Sequence, residues 1–132
     1  DCIIHLASIA NDPAGNLDPS LTWDVNVLAT YKIINLALQQ KVKKFIFASS
    51  GSVYGIKKEK KVTEELSLEP VSEYNKSKMI AERILLSYKK NIDLIILRPA
   101  TVCGYSPRQR LDVVVNILTN LAFHKRDAVN IL

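Results

Sequence analysis

Three short apolar runs, Cys2–Leu6, Lys44–Ala48 and Ile92–Leu97, constrain the fold of this chain more than any other feature. Each is short, continuous and rich in Ile, Leu or Phe, the pattern of a strand covered on both faces. Long segments with helical spacing separate them. The first opens at Asp18-Pro19, a capping carboxylate followed by a proline that suits a first helical turn. It reads as one helix from Ser20 to Gln40, with Val25, Leu28, Ala29, Ile33, Leu36 and Ala37 on the apolar face. The second reads as a helix from Ser72 to Lys90 that turns Met79, Ile80, Ile84, Leu85 and Tyr88 inward. Strands alternating with helices need crossover connections, and these give a parallel sheet. The expected fold is therefore α/β, with the three strands paired in chain order and helices on both faces. Ser8–Asp18, Ser49–Pro70 and Arg98–Arg110 read as loops, and Leu111–His124 as a further helix. Ala128–Leu132 reads as the beginning of another strand. No repeat or internal boundary divides residues 1–132.

Composition narrows the class. With 132 residues, 48% hydrophobic and 23% charged, the chain can bury one modest core. No apolar run approaches the roughly 18 residues of a membrane span. The start carries no secretory signal pattern. A cytoplasmic protein without a membrane partner is expected. Cys2 and Cys103 lie far apart with no metal-ligand spacing, so buried, reduced thiols and no metal site are expected. The net charge of +5 comes mostly from Lys41, Lys43 and Lys44 and from Lys57, Lys58, Lys60 and Lys61. The first group closes a helix, where cations suit the dipole. Neither group is interleaved with aromatics for base stacking, so both read as solvated faces and no nucleic-acid partner is expected.

The chemistry is concentrated in Tyr74-Asn75-Lys76-Ser77-Lys78. Positions i and i+4 share a helix face, so Tyr74 and Lys78 can address one reacting centre. A free phenol, with a pKa near ~10, is a poor base at neutral pH. A fixed ammonium nearby favours the phenolate and brings it toward the working range. Ser50, at the end of the preceding strand, can hold a substrate oxygen while the proton leaves. Ligands of parallel sheets bind beyond the carboxyl ends of the strands. His5-Leu6-Ala7, Ser49-Ser50 and Arg98-Pro99 stand at those ends, and Tyr74 joins them if its helix begins at the same rim.

Strand, serine, loop, Tyr-x-x-x-Lys helix, strand is an order that resembles the short-chain dehydrogenase/reductase superfamily, within it the extended group of nucleotide-sugar epimerases and dehydratases. The resemblance covers essentially the whole chain. His5-Leu6-Ala7 is similar to the end of that group's fourth strand. Asn26 to Thr30 resembles its Asn-x-x-Gly-Thr helix, with Ala29 in place of glycine. Ser49 to Gly55 resembles its Ser-Ser-x-x-Val-Tyr-Gly segment. Leu97 to Gly104 resembles its Leu-Arg-Pro-x-x-Val-Tyr-Gly segment, with Cys103 in place of tyrosine.

The resemblance implies a partial Rossmann-type, doubly wound parallel sheet that lacks the first strands and the C-terminal substrate region. Residues 1–132 are then the central and C-terminal part of a dinucleotide-binding domain. The group's Gly-x-x-Gly-x-x-Gly pyrophosphate turn is absent; Gly15, Gly51, Gly55 and Gly104 are isolated. The chain by itself is expected to be inactive. By resemblance Tyr74 is the general acid/base, Lys78 binds the nicotinamide ribose and lowers the tyrosine pKa, and Ser50 holds the substrate oxygen, with Ser49 or Ser52 as alternatives to it. Leu6, Ala7, Ala48, Ser49 and Pro99, with Tyr74 and Lys78, line the cofactor cleft. Thr101 stands where related enzymes often have an asparagine on the nucleotide-sugar. Asn26 ties loops together, and His5 is a hydrogen-bonded strand-end histidine. The implied cofactor is NAD, with NADP as the other choice, and the implied partners are a nucleotide-sugar and a second copy in a homodimer. Sugar dehydratases of the group carry an Asp-Glu pair where this chain has Gly51 and Ser52, which favours epimerase or reductase chemistry. UDP-glucose 4-epimerase-like turnover is the leading expectation. A one-way NAD(P) reductase or dehydrogenase, a dehydratase and a non-catalytic dinucleotide sensor are the alternatives.

Overall fold

The computed structural model describes residues 1–125 and divides the chain into two units, Asp1–Pro99 and Ala100–Leu132. No boundary was expected from the sequence. It falls after Pro99, where residues 100–112 run exposed and without regular structure.

In the first unit, β1 (Cys2–His5), β2 (Lys44–Ala48) and β3 (Asp93–Leu97) form a parallel sheet in that order. The register sets His5 beside Phe47 and Ala48 beside Leu97, so all three carboxyl ends lie on one edge. The order and direction match the sequence expectation. The strand ends differ slightly: Leu6 lies beyond β1 and is exposed, and Ile92 precedes β3 as a buried core residue.

The side-chain alternation of the strands divides the sheet into two unlike faces. Phe45 and Phe47 project into a core with Ile34, Ala37, Ala81, Leu85 and Ile92, supplied largely by two helices. These are α3 (Ala29–Gln39) and α4 (Glu73–Ser87). The opposite face carries Ile4, 62% exposed, and Leu97, 53% exposed. Within this unit the helices cover one face, not the two expected. Cys2 is exposed on that open face and Cys103 is exposed in the second unit, so the expectation of buried thiols is corrected.

The expected helix Ser20–Gln40 is built in three pieces. A short α2 (Pro19–Trp23) leads into a π-turn over Asp24–Leu28, closed by Ala29 N–H donating to Asp24 O, and then into α3. The wide turn rotates the buried stripe onto Thr22, Asn26, Val27, Thr30, Ile34 and Ala37. Leu28 and Leu36, expected inside, face water instead. The polar members of the stripe are satisfied. Thr22 donates to Gly15 O at 3.0 Å, and Thr30 donates to Asn26 O at 2.8 Å. Helix α3 ends in a Schellman pattern, with Lys41 N–H on Leu38 O and Val42 N–H on Ala37 O. Lys41 takes the left-handed conformation there, φ 56°, where glycine is usual.

Two loops carry more structure than expected. Residues Asp12–Leu17 form a short helix, α1, capped by Asn11 Oδ1 accepting from Ala14 N–H at 2.8 Å. Asn-Asp-Pro is itself a helix-start signal, which explains it. The long loop after β2 begins as a 3₁₀ turn over Gly51–Tyr54. Its return is pinned by Glu69 N–H on Val53 O and by Lys57, which pairs with Glu69 at 2.7 Å. Lys57 is thus a bridging side chain, not part of a solvated face. Gly55 has φ 71°, and a Cβ there would meet Glu69 O at 2.0 Å, so this crossing requires glycine.

The second unit contains α5 (Val114–Lys125), three residues later at its start than the sequence suggested. Arg110 pairs with Asp112, and Asn116 donates to Arg110 O at 2.8 Å, which ties the preceding turn to the helix. The strand expected at Ala128–Leu132 lies outside the described residues.

Candidate active site

The site is assembled by the start of α4 meeting the carboxyl edge of the sheet. Ser72 caps α4 by accepting from Asn75 N–H at 3.1 Å, so Tyr74, Asn75, Ser77 and Lys78 occupy its first turns. Several tethers hold this end in place. Ser72 Oγ donates to Asp12 at 2.5 Å, and Trp23 Nε1 donates to Glu73 at 2.9 Å. Asn26 donates to Ser77 Oγ at 2.9 Å while exchanging two hydrogen bonds with the backbone of Ile9. That is the loop-tying role expected of it. Gly15 lies against Tyr74 so closely that a Cβ at this position would come within 2.9 Å of the tyrosine Cβ.

Lys78 is the central charge. Its residue is 2% exposed, and Nζ donates to Ala48 O at 2.9 Å. Nζ stands 4.9 Å from the Phe47 ring centroid and 6.0 Å from that of Tyr74. Burial pulls its pKa down from 10.5 to about 8, with Glu82 acting in the opposite direction. A cation held beside a phenol favours the phenolate over the neutral ring.

Ser50 closes the other side. Its Oγ lies 2.7 Å from Ser52 Oγ, which donates to Asn75 Oδ1 at 2.5 Å. Ser50 is thereby linked to the residue next to Tyr74. Ser49 N–H pairs with Leu97 O and Gly51 N–H with Pro99 O, which carries the ladder past the strand ends and fixes the serine turn. Ser49 Oγ is buried without a hydrogen-bond partner among the described residues. A buried hydroxyl left so is costly unless a ligand atom completes it. Ala48 and Ser49 thus form the floor of this edge, and Leu6, Ala7 and Pro99 its exposed rim.

His5 is buried, with Nε2 2.9 Å from Thr30 Oγ1. Burial, and then the Lys78 charge, lowers its pKa, so it sits neutral and hydrogen-bonded. Thr101 belongs to the second unit and is exposed there.

Sequence reasoning did not single out two further participants, Asn75 and Glu82. Asn75 connects Ser50 to the helix through Ser52, which the sequence had offered only as an alternative to Ser50. Glu82, 1% exposed, accepts three hydrogen bonds from Arg98, which also donates to the Tyr54 hydroxyl at 2.8 Å. One signal was available: Asn75, Lys78 and Glu82 fall on the same stripe of α4 as Leu85. The inward residues of α4 are in fact Asn75, Ser77, Lys78, Ala81, Glu82 and Leu85, while Met79, Ile80, Ile84 and Tyr88 are half-buried.

Among the described residues no His, Cys, Asp and Glu cluster could hold a metal, and no helix is long and apolar enough to cross a membrane.

A parallel sheet with alternating helices and polar residues gathered at its carboxyl edge is the Rossmann-type class of fold, which binds ligands at that edge. The chain belongs to the NAD dependent epimerase/dehydratase family, whose model matches residues 1–130. An uncharacterised UDP-glucose epimerase, YtcB of Bacillus subtilis, is 36% identical over 130 residues, 95% of this chain and 37% of that protein. The structure of RMD from Pseudomonas aeruginosa complexed with NADPH superposes with a TM-score of 0.81 at 29% identity, over 96% of this chain and 44% of that one. UDP-glucuronic acid 4-epimerase from Bacillus cereus, in complex with UDP-glucuronic acid and NAD, superposes with a TM-score of 0.77 at 32% identity, over 93% and 39%. The chain spans less than half the length of these relatives. The solved neighbours share the Rossmann-type fold.

Proposed function

We propose that residues 1–132 are the catalytic central part of an NAD-dependent nucleotide-sugar epimerase of the UDP-glucose 4-epimerase type, active as the whole protein. The observation that carries this reading is the buried Lys78 ammonium, poised at about 8 beside the Tyr74 ring. A structural lysine has no need of such a place, because burying a charge with one carbonyl partner is costly. The NAD- and NADPH-bound neighbours support the cofactor, and the UDP-sugar epimerase relatives support the substrate class.

The residues fit a dinucleotide. Ser49 offers an unpartnered buried hydroxyl, and Leu6, Ala7, Ala48 and Pro99 offer an apolar cleft wall. Lys78 holds the nicotinamide ribose. Bound in this cleft, NAD would supply reversible hydride transfer at a sugar carbon. Tyr74 takes the sugar hydroxyl proton as phenolate and gives it back, and Lys78 stabilises that phenolate. Ser50 orients the reacting oxygen, and Thr101 contacts the nucleotide-sugar. Gly51 and Ser52 provide no carboxylate for water elimination, which favours epimerisation over dehydration. The whole protein works as a homodimer in the cytoplasm.

Full-length protein, assayed with UDP-glucose and NAD or NADP, tests the reading. Tyr74→Phe should lower turnover by about 10²–10⁴-fold while NAD affinity stays near normal. Near-normal turnover in that variant removes Tyr74 from the mechanism. Stoichiometric NADH release without an epimer would instead indicate a one-way dehydrogenase. The 132-residue chain carries no glycine-rich pyrophosphate turn, and it is expected to show no saturable binding at micromolar NAD.

A further inference from the structure

The hydrogen bonds around Ser50 have a direction. A serine hydroxyl has one proton. That of Ser52 is donated to Asn75 Oδ1. The separation of 2.5 Å suits O–H···O and is shorter than N–H···O bonds run, so the amide oxygen, not its nitrogen, faces Ser52. With its proton committed, Ser52 can only accept from Ser50, 2.7 Å away. The Ser50 proton is therefore committed as well. Ser50 Oγ also accepts from Ser52 N–H at 3.2 Å, so its second lone pair is the position at which it can take a further hydrogen bond. Asn75 itself is buried, and its backbone is held by the Ser72 cap, so the end of the line is rigid.

We propose that Asn75 is a positioning residue that, through Ser52, sets the direction of the Ser50 hydroxyl, so that Ser50 meets the substrate as a hydrogen-bond acceptor. The inference rests on the reading of Ser50 as the group that orients the reacting oxygen. It adds a preference to that role. A sugar hydroxyl can donate its single proton to that lone pair in the bound ground state, and turns the same proton to Tyr74 when the transfer occurs. A carbonyl oxygen needs a donor, and Ser50 can supply one only by giving up its bond to Ser52. The line also ends on an amide oxygen, which accepts hydrogen bonds but is no base near neutral pH. The line orients the Ser50 hydroxyl without conducting a proton, so the sugar proton leaves to Tyr74 and not through Ser52.

The test is a double-mutant cycle in the full-length protein with UDP-glucose as the probe. Asn75→Leu removes the acceptor at similar size, and Asn75→Asp keeps it. Losing one oriented hydrogen bond should lower kcat by about tenfold in Asn75→Leu, with KM and NAD affinity unchanged. Asn75→Asp should recover most of that loss. In a Ser50→Ala background, Asn75→Leu should add nothing, because the hydroxyl it directs is gone. An undiminished tenfold loss in that background, or an Asp variant no better than Leu, overturns the proposal alone. Normal turnover in Ser50→Ala overturns the reading of Ser50 and the proposal with it. If Asn75→Leu does not fold, neutron diffraction of the deuterated wild-type protein decides. Deuterons pointing from Ser50 to Ser52 and from Ser52 to Asn75 support the proposal, and the reverse direction defeats it.

Discussion

Two buried charges stand one turn apart on α4, and their surroundings differ. Glu82 accepts three hydrogen bonds from Arg98, which is fixed in turn by the Tyr54 hydroxyl and stacked 4.9 Å from the Tyr54 ring centroid. The Glu82 carboxylate raises the Arg98 pKa further. Lys78 has one carbonyl partner and an aromatic neighbour, and its pKa falls to about 8. The first arrangement locks three segments together: α4, the end of β3 and the turn after β2. The second holds a charge in a place that costs stability, beside the group proposed to do chemistry. The pair at Glu82 is neutralised within the fold, whereas the cost of burying Lys78 is left largely uncompensated, as its proposed role beside Tyr74 would require.

The comparison can be broken at its strongest point first. Arg98→Met leaves Glu82 buried and unpaired, and should destabilise the protein by about 3–5 kcal/mol in a urea titration. A loss below 1 kcal/mol would mean that the pair is not load-sharing between the segments. At Lys78 the sign should reverse. Lys78→Met removes a desolvated charge and one hydrogen bond, and should stabilise the fold by about 2 kcal/mol at neutral pH while abolishing turnover. The pH dependence follows from the lowered pKa. Between about 8 and 10.5 the unfolded chain keeps the Lys78 proton and the folded one does not, so stability rises with pH in that window. Below about 8 the burial cost is present in full. The difference between wild type and Lys78→Met should shrink across that window, and a constant difference would show that Lys78 titrates normally. The smallest effect is expected from Glu82→Leu combined with Arg98→Leu. An apolar pair should restore stability to within about 1 kcal/mol of wild type, the remainder reflecting the lost Tyr54 partner. A double variant as unstable as Arg98→Met would assign the cost to shape instead of charge.

Much of the site was legible because it lies in local sequence order. Strand, serine turn and Tyr-x-x-x-Lys helix place Ser50, Tyr74 and Lys78 at one sheet edge, and the parallel register puts them there. The roles of Asn26 and His5 as hydrogen-bonded structural residues were also readable from position. The buried faces of the helices were not. Periodicity assigned Leu28 and Leu36 to the core by assuming an even helix, and the π-turn at Asp24–Leu28 moved them outward. Apolar weighting passed over Asn75, Ser77 and Glu82 on α4, because a polar residue counts as surface until its partner is known. Those partners, Ser52, Asn26 and Arg98, lie between 16 and 51 residues away in the chain.

By itself the sequence determined the strand order, the helical placement of the tyrosine and lysine, and membership of the NAD dependent epimerase/dehydratase family. Those depend on spacing, alternation and short motifs, which local backbone preferences and chain connectivity express directly. Only the tertiary structure decided that Lys78 is buried on Ala48 O, that Glu82 is neutralised by Arg98, and that Ser50 is tied through Ser52 to Asn75. The reason is physical: burial and hydrogen-bond direction are properties of pairs, and the partners meet only once the sheet edge and α4 have packed.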